Sequence, residues 1–421
     1  MWHYFPGQYM PSYQVNRALT QAHYGGGEFA EILEVAGEID PSDRESFNRA
    51  WVKMGDKVYE KAEAYAAAGQ RVSARRTYLR AFNYLRTAEF FMTLRDDRKI
   101  PYYLKCRDAF IKAIDLFDER PVTVDIPFEG SHLPAYLFKP VGVENPPVMV
   151  MFGGLDSLAE ELYFGIAQHL NERGIAMMAV DGPGQGAALR LNHIHTRYDY
   201  NVAGSAVLDY IIENLSEHVD TSRVGIGAVS MGGYMAARCA AFEPRFKVCM
   251  IFGAVWSYYD IWKNRPDNHP LAEIVQHIVG ADNMTDARER LKNFTLEGVA
   301  EKIQCPTYIL HGEDDRQNFT RFLLLTRAEE AGDHRCRRHR SRNGLGLAPS
   351  RFRSDHPRSH ARVPRRGGCR CRQGSAEALH QAGSQHPDGR QDWRHQSDQE
   401  IRVHCLHRQG WRQDPGGSRC Q

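Results

Sequence analysis

The chain has 421 residues, 42% of them apolar, and a formal net charge of +2; that is length enough for one large domain or two ordinary ones around a sizeable core. No apolar run reaches the ~18 residues of a membrane span. The opening MWHYFPGQYMPSYQ lacks a basic region followed by an apolar stretch, so no signal peptide is expected and the expected location is cytoplasmic.

The near-zero charge hides a division. Residues 334–421 hold 19 Arg, no Lys, seven acidic groups, nine of the 19 His and five of the nine Cys, whereas residues 1–333 hold 35 basic and 45 acidic groups. The chain divides accordingly into an N-terminal helical region at 1–120, a strand-and-helix region at 121–333, and the Arg/His-rich tail at 334–421.

In chain order, PSDRESFNRAWVKMGDKVYEKAEAYAAAGQ opens with a helix start signal and is rich in Ala, Glu and Lys. In RVSARRTYLRAFNYLRTAEFFM, the positions Tyr78, Leu79, Phe82, Leu85, Ala88 and Phe91 form one apolar helix face. With YYLKCRDAFIKAIDLF, this predicts three or four packed helices over about 40–118. From residue 121 the period changes. PVTVDIPFEGSHLPAYLFKP alternates about a turn at Glu129-Gly130 and predicts a hairpin.

PPVMVMFGG predicts a buried strand, LAEELYFGIAQHLNERG a helix, IAMMAVD a strand before the loop GPGQG, and 199–217 another helix. RVGIGAVS, FKVCMIFGAV and CPTYILHG read as further strands, with a helix at MGGYMAARCAAFE. This alternation predicts a doubly wound, mostly parallel α/β sheet, with a helical insertion at about 257–300. The aromatics of that insertion, Trp256, Tyr258, Tyr259 and Trp262, suit a flat substrate ring and ordinary packing equally.

The tail shows neither the helical nor the strand apolar period. Arginine-rich, lysine-free text sprinkled with cysteine is what a GC-rich gene yields when translated out of frame. A basic nucleic-acid-binding tail is the weaker reading, since such tails mix Lys with Arg. Cys106, Cys239, Cys249 and Cys305 are too dispersed for a metal or disulfide pattern and read as free buried thiols.

Ala228-Val229-Ser230-Met231-Gly232 lies between a strand and a helix and matches the nucleophile elbow G-x-S-x-G, with alanine for the first glycine. The turn exposes the Ser230 hydroxyl and aims the Met231 amide at the reacting oxygen. A serine hydroxyl needs a histidine to take its proton and a carboxylate to orient that histidine. HGEDDRQ supplies the carboxylate, Asp315 in preference to Asp314, while His311 reads as structural. A second oxyanion donor is expected from FGGLDS, at the Leu155 amide beside Gly154. DGPGQG lacks the spacing of a dinucleotide loop, so no cofactor is expected, nor a metal.

FGGLDSLAEE, AVDGPGQG, SMGGYMAARCA, HGEDDRQ and ARRTYLRAFNYLRTAEFF together resemble one α/β-hydrolase branch over about 40–330. That branch includes the FrsA-like esterases, 2,6-dihydroxypseudooxynicotine hydrolase and the fungal polyketide-shortening hydrolases. The resemblance implies an α/β-hydrolase fold whose N-terminal helical domain helps cover the site. It also implies Ser230 as nucleophile and Asp315 as acid, and cleavage of a carbon–carbon bond beside a ketone or of an ester.

The expected partner is a small molecule, with no nucleic acid and no membrane; a homodimer is compatible with the sequence. In the branch the histidine lies about three dozen residues beyond the acid, after the last strand. Here that region offers only His334, His339, His356 and His360 among many tail histidines, and no base is assigned. Ser350-Arg351 can be encoded TCA-CGC, which one base later reads CAC, a histidine codon. The expectations for the chain are therefore a hydrolase fold with its base lost, an unstructured tail, near-inactivity, and proteolytic clipping after about residue 333. A carboxylesterase and a non-catalytic fold are the alternatives.

Overall fold

The computed structural model describes residues 2–92, 96–253 and 255–312 and, in backbone only, 401–406. Five helices open the chain: α1 (Tyr9–Ala22), α2 (Phe29–Glu38), α3 (Arg44–Ala67), α4 (Arg71–Phe90) and α5 (Lys99–Asp115). α3 starts where the sequence signals it, because the Asp43 carboxylate accepts the N–H groups of Glu45 and Ser46. The aromatic stripe of α4 is core: Tyr78, Leu79, Phe82, Leu85, Ala88 and Phe91 are all buried, with Trp51 and Phe110.

The hairpin comes next as β1 (Val122–Phe128) and β2 (Ser131–Phe138). Its turn places both Glu129 (φ 45°) and Gly130 (φ 81°) in the left-handed region, as a two-residue primed turn requires. Then come β3 (Val148–Phe152), α6 (Ala167–Asn171), β4 (Ala176–Val180), α7 (Gly186–Arg190), α8 (Asn201–Asn214), β5 (Val224–Val229), α9 (Gly232–Phe242) and β6 (Cys249–Phe252). The insertion carries α10 (Tyr258–Trp262), α11 (Ala272–Val279) and α12 (Met284–Leu291), and β7 (Thr307–Gly312) closes this series.

The sheet order is β1-β2-β4-β3-β5-β6-β7, with β3 to β7 parallel, β2 antiparallel to β4, and β1 antiparallel to β2. This is the α/β-hydrolase arrangement expected. β3, β4 and most of β5 are buried, as strands covered by helices on both faces must be. Among the described residues no helix is long and apolar enough to cross a membrane.

Two details differ from the sequence reading. The helix expected after β3 is broken: a 3₁₀ turn at Ala159–Tyr163 precedes the short α6, with Gly165 at φ 83° between them. The tail, expected to furnish no strand, forms β8 at Ile401–Leu406, antiparallel to β7 from Thr307↔Leu406 to Gly312↔Ile401. IRVHC within it alternates apolar with polar residues, a strand period obscured by the arginines around it. Of the four cysteines outside the tail, Cys106, Cys239 and Cys249 are buried and Cys305 is half-buried.

The helices and the sheet are joined by charge as well as by apolar contact. Arg86 and Glu89, one turn apart on α4, are 2% and 1% exposed. Glu89 accepts from Arg190 at the end of α7 (2.9 Å to Nε) and pairs with Lys99 on α5 (3.0 Å). Arg190 reaches on to Asp156 in the loop after β3 (2.6 Å), and Arg86 pairs with Glu161 (3.1 Å) and Glu89 (3.3 Å). Burial pushes the Asp156 and Glu89 carboxyls up, but Arg190 and the neighbouring cations outweigh it and hold both below the usual carboxylate range.

These shifts make stability depend on pH in a definite sense. A carboxyl whose folded pKa lies below its unfolded value of about 4 stabilises the fold fully above that pH and loses this contribution as pH falls through the folded value. Asp181, pushed up to about 7 by burial and by Glu160, acts in the opposite sense and only above that window. Equilibrium unfolding is therefore expected to show an acid limb below about pH 4. Asp156→Asn should lower stability at neutral pH by about 3 kcal/mol, because it leaves buried cations short of a partner, and should make the acid limb shallower. An acid limb of unchanged slope in the variant would remove Asp156 from this account.

Candidate active site

β5 stops at Val229 and α9 starts at Gly232, so Ser230 and Met231 alone turn the chain. Ser230 has φ 58°, a left-handed conformation that costs a non-glycine residue about 1–3 kcal/mol. Its N–H donates to the Phe252 carbonyl (2.5 Å), and its carbonyl accepts from the Gly233 N–H (2.8 Å). Both backbone groups are thus used, and the side chain stands exposed at the carboxyl edge of the sheet, where open α/β sheets bind ligands.

The glycines around it are required by space. A Cβ on Gly232 would lie 2.4 Å from the Gly153 carbonyl oxygen and 2.7 Å from the Ala228 Cβ. Alanine in place of the first motif glycine is tolerated because Gly232 has no side chain to meet it. A Cβ on Gly154 would lie 3.0 Å from the Ser230 Cβ and 3.6 Å from its Oγ, so the loop after β3 passes directly beside the serine. Met231 is the N-terminal residue flanking α9, where the helix dipole favours negative charge. Leu155 is half-buried next to Gly154. Among the described residues neither the Met231 nor the Leu155 N–H has a hydrogen-bond acceptor.

Asp181–Gly186 is a brace for this loop. The two oxygens of Asp181 accept from Ala159 and Ala187, each at 2.7 Å, and the Gln185 amide donates to the carbonyls of Gly153 (2.7 Å) and Gly154 (3.2 Å). Trp256, Tyr258 and Trp262 are buried in the core that underlies the insertion, and Tyr259 is packed against it, so their surroundings are those of packing residues. Among the described residues no cluster of three metal-ligating side chains forms.

The two sides of the elbow are brought together; the acid side is not described. His311 is 3% exposed in β7, which ends at Gly312. Asp314, Asp315, His334, His339, His356 and His360 lie outside the described residues. The sequence reading missed Arg86, Glu89, Asp156 and Arg190. The available signal was a pair of charges, three residues apart, inside the apolar stripe of α4.

Gly232→Ala drives a methyl group against a backbone oxygen, not against a side chain that could turn away. The variant is expected to lose about 1–3 kcal/mol in thermal unfolding and to lose reactivity of Ser230 toward a fluorophosphonate probe. A variant as stable and as reactive as the parent would show that the two turns are not in contact.

The family model described as "Esterase FrsA-like" matches residues 44–291, well over half of the chain. Hydrolyase poxO of Penicillium oxalicum is 38% identical over 261 residues, 60% of this chain and 61% of that protein. This chain thus spans under two thirds of that relative's length. Alpha/beta hydrolase xenA of Xenoacremonium sinensis is 30% identical over 380 residues, covering 78% of this chain and 89% of the relative. The crystal structure of 2,6-dihydroxy-pseudo-oxynicotine hydrolase superposes with a TM-score of 0.60 at 23% identity, over 69% of this chain and 80% of that one, a likeness of fold. With its elbow at the sheet edge and its helical segment joined to the loop after β3, the chain belongs to the FrsA-like esterase family of α/β hydrolases.

Proposed function

We propose that the chain is built as a serine hydrolase, with Ser230 as nucleophile, the Met231 and Leu155 amides as oxyanion donors and Asp315 as the acid of the triad. The observation that carries this reading is the left-handed Ser230, exposed at the sheet edge beside Gly154. Holding a serine in that strained state costs energy, and a nucleophile needs its hydroxyl clear of the strand and close to two amides. The substrate class is a mid-sized aromatic or polyketide-like molecule with a ketone or ester carbonyl. In a ketone, Ser230 acts as nucleophile or as general base toward water, and a carboxylic acid is released. The names of the relatives, a hydrolyase and an alpha/beta hydrolase, agree with hydrolysis.

The base belongs to the chain beyond Gly312. In this proposal the tail from about 334 is read out of frame, so the histidine is absent and the Ser230 hydroxyl is not activated. The nucleotide sequence around codons 316–335 tests this directly: one inserted or deleted base should restore a strand, a histidine and a helix.

Two outcomes are expected. The 421-residue chain hydrolyses simple aryl esters only slowly and is clipped by limited proteolysis after about residue 333. The frame-restored chain hydrolyses them well, and its Ser230→Ala variant loses several orders of magnitude in kcat, because triad members act as a unit. A restored Ser230→Ala protein that kept more than about a tenth of the activity would sink the nucleophile assignment. A fully active 421-residue chain would place the base in the tail as it stands.

The bond cleaved is decided separately. The restored enzyme is offered aryl 1,3-diketones and acylphenols alongside the matching esters. Release of a carboxylic acid from the ketones is the expected result, and turnover of the esters alone would favour the carboxylesterase reading.

A further inference from the structure

We infer that Arg86, Glu89 and Arg190 are positioning residues for the oxyanion hole: through Asp156 they fix the loop 153–157 so that the Leu155 amide faces the reacting carbonyl. This rests on the reading of Ser230 as nucleophile.

The loop is held almost atom by atom. Gln185 takes the carbonyls of Gly153 and Gly154, and the Gly186 N–H takes that of Ser157 (3.1 Å). The Ser157 hydroxyl accepts the Gly154 N–H at 2.9 Å. Asp156, directly after Leu155, is left-handed (φ 56°) and 3% exposed. Arg86 donates to its carbonyl, and Arg190 donates to its carboxylate at 2.6 Å. Glu89 orients both arginines, by 2.9 Å to Arg190 Nε and 3.3 Å to Arg86 Nη1, and Lys99 balances its charge at 3.0 Å.

Two of these groups come from α4, which the sheet does not need in order to close. Ion pairs this deeply buried do not add stability over apolar packing of the same volume, so stability alone does not account for them. Their contribution is geometry. Two guanidinium groups hold one residue, one at its carbonyl and one at its carboxylate, and through it the amide that precedes it. The helical segment is thereby part of the catalytic surface and more than a cover over it.

The test uses the full 421-residue chain with Arg86→Lys, which keeps the charge and loses the fork, and Asp156→Asn, which keeps the side-chain volume. Amide hydrogen exchange of 153–158 is expected to rise at least about tenfold more than that of the β1–β2 hairpin in each; the general loss of stability expected of Asp156→Asn speeds both alike and cancels in that ratio. Fluorophosphonate labelling of Ser230, slow in this chain and monitored over hours, is compared as a ratio to the parent. The limiting labelling rate is expected to fall about 10²-fold, as for loss of one oxyanion donor, with the half-saturating probe concentration unchanged.

Folded variants with parental exchange and parental labelling would overturn the inference. Faster loop exchange with parental labelling would overturn the positioning role and leave only the anchoring; labelling is repeated in the frame-restored chain, whose base is present, and no label there, parent included, would fail the nucleophile reading. If Arg86→Lys does not fold, Asp156→Asn decides; failure of both to fold counts against a positioning role.

Discussion

Everything at this site depends on how closely two turns approach. The loop after β3 and the turn after β5 pass so near each other that a single methyl on Gly232 would sit 2.4 Å from the Gly153 oxygen. That contact places Ser230 against Gly154, and it is available only because β3 and β5 are parallel neighbours, paired from Val148↔Val224 to Phe152↔Ala228. Register therefore matters as much as residue identity: a slip of one residue would turn every side chain of β5 to the opposite face and take the elbow away from the loop. The left-handed states of Ser230 and Asp156 lie on the two sides of this contact. Each is unfavourable alone, and each persists because surrounding hydrogen bonds over-determine it.

The charges that restrain Asp156 change the meaning of the helical segment. Its apolar stripe would suffice to pack it on the sheet, and Phe82 does stack with Phe164 next to the loop (centroids 5.8 Å apart). Apolar packing is non-directional and tolerates small shifts. Bidentate and forked contacts do not, because a guanidinium meets its acceptors only in one plane. α4 uses both kinds of interaction on one face: aromatic residues to bind, and Arg86 with Glu89 to set position. The cost is a buried cluster of full charges, stable only while every partner is present.

Much of this was legible in the sequence, and for identifiable reasons. The strands between 122 and 312 are short apolar runs bounded by glycine and proline, and their order is implied by their alternation with helices. Ser230 was readable because an elbow needs small residues at fixed spacing on either side of one polar residue. The turn at Glu129-Gly130 was readable for the same kind of reason, a left-handed requirement met by glycine. Arg86 and Glu89 were not, because a helical period marks a face as buried and cannot say that the charges within it are paired. Their partner Arg190 is 101 residues from Glu89 in the chain, and no local pattern spans that distance. β8 was missed because composition was averaged over the whole tail, where five alternating residues carry little weight.

The extent of the family match has a structural sense. Residues 44–291 run from the first residue of α3 to the last of α12. That span contains both turns, the braces at Asp181 and Gln185, and the ion network from α4 to α7. It excludes β7 and the segment beyond it that holds Asp315, the proposed acid. In the proposed reading the two halves of a serine hydrolase are separate along the chain: one holds the nucleophile and the oxyanion donors in place, and the other moves the proton. Strain at Ser230 is sustained by contacts with Phe252 and Gly233, and the position of Leu155 by contacts with α4 and α7. None of these reaches past Gly312. Changes beyond that point leave both sets of contacts in place and, in the proposed reading, act first on proton transfer.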